Sequence, residues 1–289
     1  MPIFDIFLVE AILNGILFGG VLALLALGLN LIFGVIDVVW ICYAELMMMG
    51  MYAVYFLYID YDVPLFVAFA ACILLVALLG VIMHQLVIRP ILGGEPINQL
   101  LVTGGVLFFL QALATLLFGI DFRNLGLSLP SLTIGDIYLP MSRIYAASAA
   151  LVAMVGVWLF LKKTYLGIAI RAISQDRTIM PLMGVDANKI YLITSALGGG
   201  LAGLGACVLV LQYDVHPAIG LSFGPITFMV CVMGGLGNLI GGFIAAFIFA
   251  QFISVGGFFF QIEWGYVMAF VFFIMMMFAR PQGLFGSRA

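Results

Sequence analysis

Residues Lys162–Lys189 read KKTYLGIAIRAISQDRTIMPLMGVDANK and hold Lys162, Lys163, Arg171, Arg177 and Lys189, five of the ten basic residues in the chain. Uncharged runs flank the stretch, Ile144–Leu161 before it and Ile190–Tyr213 after it. Each is long enough to read as a membrane span. Lys and Arg beside a span resist translocation, so a basic loop between two spans belongs on the cytoplasmic side. This stretch therefore points to both the class of fold and its orientation. Within it, Ile168, Ala169, Ala172 and Ile173 recur at helical spacing, with Arg171, Gln175 and Asp176 on other faces. The spacing predicts a short amphipathic helix over 166–180, broken by Pro181, with Gly184 turning the chain before Asp186 and Lys189. Such a helix either lies on lipid headgroups or docks a soluble partner.

The composition agrees with the spans. The chain has 289 residues, 66% hydrophobic and 8% charged, whereas a soluble domain carries about 25% charged residues. The expected fold is an all-α, polytopic transmembrane helical bundle. It forms one domain over 1–289, with 162–189 as its largest cytoplasmic surface. Continuous apolar runs, rather than alternating ten-residue segments, exclude a β-barrel. No polar stretch is long enough for a soluble core. No basic patch alternates with exposed aromatics, so nucleic-acid binding is excluded. Cys42, Cys72, Cys207 and Cys231 all sit in apolar segments without metal spacing and are expected to be packing residues. The start, MPIFDIFLVEAILNG, lacks the basic region of a cleaved leader, so the first span is expected to stay.

Taken in order, the apolar segments are Ala11–Ile36, Val38–Ile59, Leu65–Leu86, Ile97–Ile120, Ile144–Leu161, Ile190–Gln212 and Trp264–Ala279. A further uncharged region, Ala218–Ile262, is too long for one span and should divide at Gly234–Asn238, where GGLGN weakens a helix. About eight or nine membrane segments result. Short polar turns separate them, except for a longer linker with Asp121, Arg123, Pro130, Asp136 and Pro140. Placing Arg89, the basic loop, Arg280 and Arg288 inside accounts for eight of the ten basic residues. Arg123 and Arg143 then fall outside, beside acidic residues, and the C-terminus is cytoplasmic. Nine crossings put the N-terminus outside, and a re-entrant hairpin at Val38–Ile59 or near Gly234 would alter that count. Gly199 and Gly203, then Gly237 and Gly241, stand four apart, a spacing that lets helix backbones approach in lipid.

The chemistry is sparse. No Lys follows a Gly, so there is no phosphate-binding G-x-x-x-x-G-K-[ST] loop and no means of hydrolysing ATP by that route. There is no H-E-x-x-H or Cys/His metal cluster. His84 and His216 are far apart, near membrane edges, and no catalytic constellation is present. Glu45, in the apolar stretch WICYAEL with Trp40 and Tyr43, is the anomaly. A carboxylate within a span is costly and points to a functional site. It either lines a solute path with the two aromatics or accepts hydrogen bonds at a buried helix end.

Three blocks together resemble the permease subunits of branched-chain amino acid ABC importers of the LIV-I type. They are LNGILFGGVLALLALGLNLIFGVIDVV with AELMMMGMY, then TYLGIAIRAISQDRTIMPLMGVDANKIYLITSALGGGLAGLGACVL, then VMGGLGNLIGGFIAAFIF with ARPQGLFG. The resemblance implies an importer permease in a bacterial inner membrane, paired with a second related permease. It also implies two cytoplasmic ATPase subunits, which bind the ATP and Mg, and a periplasmic solute-binding protein; membrane lipid surrounds the bundle. The cytoplasmic loop would carry a coupling helix against an ATPase, which falls on Arg171, Ala172, Gln175, Asp176, Gly184 and Asp186. The implied solute is a branched-chain amino acid or a related amino acid, amide, urea or aromatic acid. Where the family commonly shows N-F-A-H-G-E, this chain has Trp40, Ile41, Cys42, Tyr43, Ala44 and Glu45, and only the Glu matches. The amide and imidazole are replaced by aromatic surface that narrows the path. The contrasting possibility is a self-sufficient secondary carrier or channel, against which the sparse acidic groups and the lack of an internal repeat both count.

Overall fold

A backbone in hydrocarbon must satisfy its own hydrogen bonds, so apolar segments without a water-facing side become helices. The computed structural model describes residues 3–127, 130–134, 137–176 and 180–286. Its helices are α1 (Ile3–Ile36), α2 (Tyr43–Ile59), α3 (Leu65–Met83), α4 (Arg89–Ile91), α5 (Pro96–Phe118), α6 (Met141–Lys163), α7 (Tyr165–Gln175), α8 (Ala187–Leu209), α9 (Ile219–Gly234), α10 (Leu239–Phe259) and α11 (Ile262–Ala279). A π-helical turn, His84–Ile88, joins α3 to α4 as one rod. Among the described residues, six helices are long and apolar enough to cross a membrane, fewer than the eight or nine segments expected. Tyr43–Ile59, Ile219–Gly234 and Glu263–Ala279 are apolar but shorter. The shortfall has a local cause: Asp37–Cys42 are not helical, and the chain spends 210–218 and 235–238 in turns.

α1 is the axis. Val21–Leu27 are at most 1% exposed, because α6, α8, α9 and α10 all pack around this helix. α3 lies on α8, while α2 wedges between α3, α8 and α9. α5 touches the rest lightly and presents Phe108, Phe109 and Leu116 outward. An apolar exterior is what a lipid-facing surface requires.

α3 and α8 approach closely. A methyl group at Gly199 would sit 2.6 Å from the Val76 carbonyl oxygen, and one at Gly203 would sit 2.9 Å from the Ile73 Cα. The second glycine pair is different from the expected helical stripe. Gly237 is in the turn between α9 and α10 with φ 80°, against Gly34 of α1, and only Gly241 is helical, packing on Gly234.

The two ends of α1 mark the two ends of the bundle. Near its start, Arg143 Nη1 donates to Asn14 Oδ1 at 3.0 Å and Gln251 Nε2 to the Ile12 carbonyl at 3.0 Å. Near its end, the Gly237 N–H donates to Asn30 Oδ1 at 3.2 Å. α7 and the segment after α11 lie at this second end. There the Leu284 and Phe285 N–H groups donate to the carbonyls of Met233 and Gly234 at 2.8 and 3.3 Å, and Asn238 Nδ2 donates to the Phe285 carbonyl at 2.9 Å.

At the other end, the linker expected to be irregular holds a hairpin, β1 (Ser131–Ile134) against β2 (Ile137–Pro140), antiparallel with Ser131 opposite Pro140. Asp136 and Arg288 lie outside the described residues. Arg123 exchanges backbone hydrogen bonds with Val215 and lays its guanidinium 5.1 Å from the Phe56 ring. Arg123 and Arg143 are thus held by aromatic rings, a backbone carbonyl and an amide. His216, 4.6 Å from the Phe122 ring, is kept below the usual histidine value by burial, with Asp214 pulling the other way.

Gly199→Ala and Gly156→Ala are expected to act in opposite directions. The first puts a methyl group on backbone and should destabilise the bundle by about 1–3 kcal/mol. The second meets nothing within 4 Å in α6 and removes a helix-weakening glycine, worth up to about 1 kcal/mol. Thermal unfolding of the purified chain in one detergent measures both.

Candidate functional site

α1 and α2 are joined by Asp37–Cys42, non-helical residues within the bundle rather than in a loop beyond it. Asp37 takes φ 58° at the start of this break. The Val39 carbonyl, freed from a helix, accepts from Thr103 Oγ1 of α5 at 3.0 Å. Trp40 follows, then α2 begins at Tyr43 with Glu45 in its first turn. All three candidate path residues are buried: Trp40 is 1% exposed, Tyr43 2% and Glu45 0%.

The structure brings Trp40 and Tyr43 to one cavity of about 260 Å³, lined also by Leu107 of α5 and by Gly224, Pro225 and Thr227 of α9. The Tyr43 hydroxyl donates to the Gly198 carbonyl at 3.0 Å, so its ring is a fixed wall. Trp40 Nε1 and Thr227 Oγ1 are buried with no hydrogen-bond partner in the protein. The Glu45 carboxyl is not part of the lining. It is packed against Gly220, a lining residue, so closely that a side chain at Gly220 would collide with it. Both Glu45 oxygens also lack a hydrogen-bond partner. Among the described residues, Trp40, Glu45 and Thr227 supply four of nine such atoms, so the polar shortfall is concentrated here.

The helices around Glu45 explain how it is tolerated. It lies in the first turn of α2 and against the second residue of α9. Helix N-termini carry partial positive charge, and two of them offset part of the cost of a buried carboxylate. α9 is itself interrupted. Pro225 has no N–H for the Leu221 carbonyl, and both residues line the cavity. The arrangement can hold a small solute with an apolar body: apolar walls, a lone indole donor, a hydroxyl and a carboxyl close behind. Thr227, Gly220 and Pro225 were not anticipated from sequence. The proline inside an otherwise helical uncharged run was the available signal.

The other candidate group lies at the end bearing the basic loop. α7 is shorter than expected, ending at Gln175 with Asp176 extended, well before Pro181; a 3₁₀ turn, Met180–Met183, follows. Thr164 caps α7, its hydroxyl oxygen accepting from the Gly167 N–H at 3.0 Å. The buried face is Ala169, Ile170 and Ile173, and Ile168 points outward, 51% exposed, contrary to the expected apolar stripe. Arg171, Gln175 and Asp176 are exposed and Ala172 is half-buried. Gly184 takes φ 83°, a left-handed conformation that suits glycine. Asp186 has a local duty: its Oδ1 accepts from the Asn188 and Lys189 N–H groups at 3.1 and 3.4 Å, capping α8. Arg177 lies outside the described residues.

Comparison with known proteins follows the same chain from end to end. A family profile described as branched-chain amino acid transport system / permease component matches residues 11–279. The high-affinity branched-chain amino acid transport system permease protein BraD of Pseudomonas aeruginosa is 27% identical over 293 residues, covering 96% of this chain and 95% of that protein. LivH of Escherichia coli, which carries the same description, is 24% identical over 300 residues, with 97% and 96% covered. The solved structure of PsaBC from Streptococcus pneumoniae in complex with Fab superposes with a TM-score of 0.51 at 13% identity, over 94% of this chain and 92% of that one. At that identity the likeness is one of fold.

Two substitutions should separate wall from donor. Tyr43→Phe loses a bond between helices and should lower stability by about 0.5–1.5 kcal/mol. Trp40→Phe removes an N–H that has no protein partner but also part of a buried ring, so unfolding by heat or denaturant should show a packing loss of about 1–2 kcal/mol and no lost hydrogen bond.

Proposed function

Since the chain belongs to the branched-chain amino acid transport system permease family, matched over residues 11–279, we propose that it is one membrane-spanning subunit of an ATP-driven importer. In this proposal it pairs with a second, related permease. Two cytoplasmic ATPases bind the ATP and Mg, and a periplasmic solute-binding protein delivers the solute. The chain sits in the bacterial inner membrane, with the basic loop and the segment after α11 in the cytoplasm. The positive-inside rule supports that orientation. The lack of a G-x-x-x-x-G-K-[ST] stretch in the sequence supports a role for partner ATPases.

The observation that carries the proposal is the cavity beside Trp40, Tyr43 and Thr227, backed by Glu45. It lies at the α1–α2 break and beside Pro225, which removes one backbone hydrogen bond from the continuous helix α9. Broken helices are where membrane proteins expose backbone and polar groups to a solute. The largely apolar wall favours an amino acid with a branched or aromatic side chain over urea or a simple amide. The solute's polar end would meet the Trp40 indole and the Thr227 hydroxyl, with the Glu45 carboxyl behind Gly220. Ala172, Gln175, Asp176 and Gly184 would face an ATPase, with Tyr165, Leu166 and Ile168 supplying apolar contact from the same exposed helix, while Arg171 lines a groove beside Lys162.

The test is uptake of labelled leucine by the assembled complex in proteoliposomes, with phenylalanine and urea as competitors. Glu45→Gln is expected to lower or redirect uptake while assembly and basal ATPase activity persist; unchanged transport and selectivity would remove Glu45 from the path. Gly184→Val is expected to insert normally and to lose ATP-driven uptake, because a β-branched side chain resists φ near 83°. Normal uptake in that variant would overturn the coupling role. Ion-gradient uptake by this chain alone would replace the importer with a secondary carrier.

A further inference from the structure

α6 and α10 both pack on α1, and a groove of about 620 Å³ runs between them at the end that carries α7. Met154 and Trp158 of α6 and Ile240 of α10 form its apolar walls. Lys162, the penultimate residue of α6, and Arg171 of α7 close its polar end. Among the described residues neither cation has an acidic side-chain partner; the ion pair formed there is Lys189 with Asp186 at 3.5 Å. The Lys162 ammonium sits 4.6 Å over the Trp158 ring. Trp158 and Ile240 remain 45% and 51% exposed, open to whatever surrounds the bundle.

We propose that this groove binds one anionic phospholipid of the leaflet on the basic-loop side. Its phosphate lies between Lys162 and Arg171 and one acyl chain runs along Met154, Trp158 and Ile240. The charge pattern selects the occupant. A soluble anion would use the two cations and leave the aromatic and aliphatic walls uncovered. A zwitterionic lipid would cover the walls but bring an ammonium beside Lys162. An anionic lipid satisfies both, and basic pockets between helices at the membrane boundary favour such headgroups. Trp at the headgroup level with Lys reaching past it is the usual interfacial arrangement. The site is distinct from the Trp40 cavity, which lies among α2, α5 and α9.

The test uses the full chain in detergent, titrated with phosphatidylglycerol or phosphatidylcholine and read by native mass spectrometry. Phosphatidylglycerol should bind the wild-type chain more tightly than phosphatidylcholine. Lys162→Gln should weaken phosphatidylglycerol binding about fivefold, the effect of one basic residue near the surface. Lys162→Arg should keep it, and Lys163→Gln, a charge one residue on that does not line the groove, should leave it nearly unchanged. Equal losses in Lys162→Gln and Lys163→Gln would overturn the site in favour of diffuse surface charge. Equal binding of the two lipids would also overturn it. So would displacement of phosphatidylglycerol by millimolar inorganic phosphate, which would make it a site for a free anion.

Discussion

The constraint on which everything else depends is that a peptide group surrounded by hydrocarbon finds no water. It forces the long apolar segments into helices and makes every interruption of a helix a local problem. Asp37–Cys42, Pro225 and Gly234–Asn238 are those places, and protein covers part of each: Val38, Trp40 and Cys42 are buried in the first, Gly234 and Gly235 in the last. Thr103 takes the Val39 carbonyl, Asn238 caps α10 at Gly241 and holds the Phe285 carbonyl, and Pro225 lines the cavity. Val21–Leu27 of α1 are sheathed on all sides, and the break at Asp37–Cys42 follows the end of that helix. The cavity and the supporting frame thus arise from the same rule, kept over most of the bundle and relaxed at a few residues.

Much of this could be read from residues alone. Continuous apolar runs announce helices, and the glycines at 234–238 announce the division between α9 and α10 because a flexible backbone favours a turn there. The anomalous carboxylate at Glu45 and its aromatic neighbours were legible because charge in a span is costly. What was not legible depends on contacts between segments distant in sequence. Thr227 and Gly220 become site residues only when α9 crosses α2. Ile168 fits an apolar stripe by spacing, yet the seat of α7 on α1, α6 and α8 turns Ala169, Ile170 and Ile173 inward instead. The β1–β2 hairpin was hidden by a composition of prolines and acids that reads as an irregular linker.

Glu45 shows how position redefines a residue. In sequence it is a lone acid in an apolar stretch. In the fold it is pinned between two helix starts, behind the cavity wall rather than on it, with Gly220 as the thin partition. Gly220 holds the carboxyl close to the cavity because it has no side chain to keep the two apart. A polar group in the cavity would interact with that carboxyl through a low-dielectric gap, where electrostatic interactions are stronger than in water.

The hydrogen bonds from Leu284 and Phe285 to Met233 and Gly234 have a consequence for biosynthesis. The turn between α9 and α10 enters the membrane during translation, yet two of its carbonyls are satisfied by residues made only after α11. That end of the bundle is therefore completed late. Until then the last two residues of α9 keep open backbone acceptors, which close only when the segment after α11 folds back onto them.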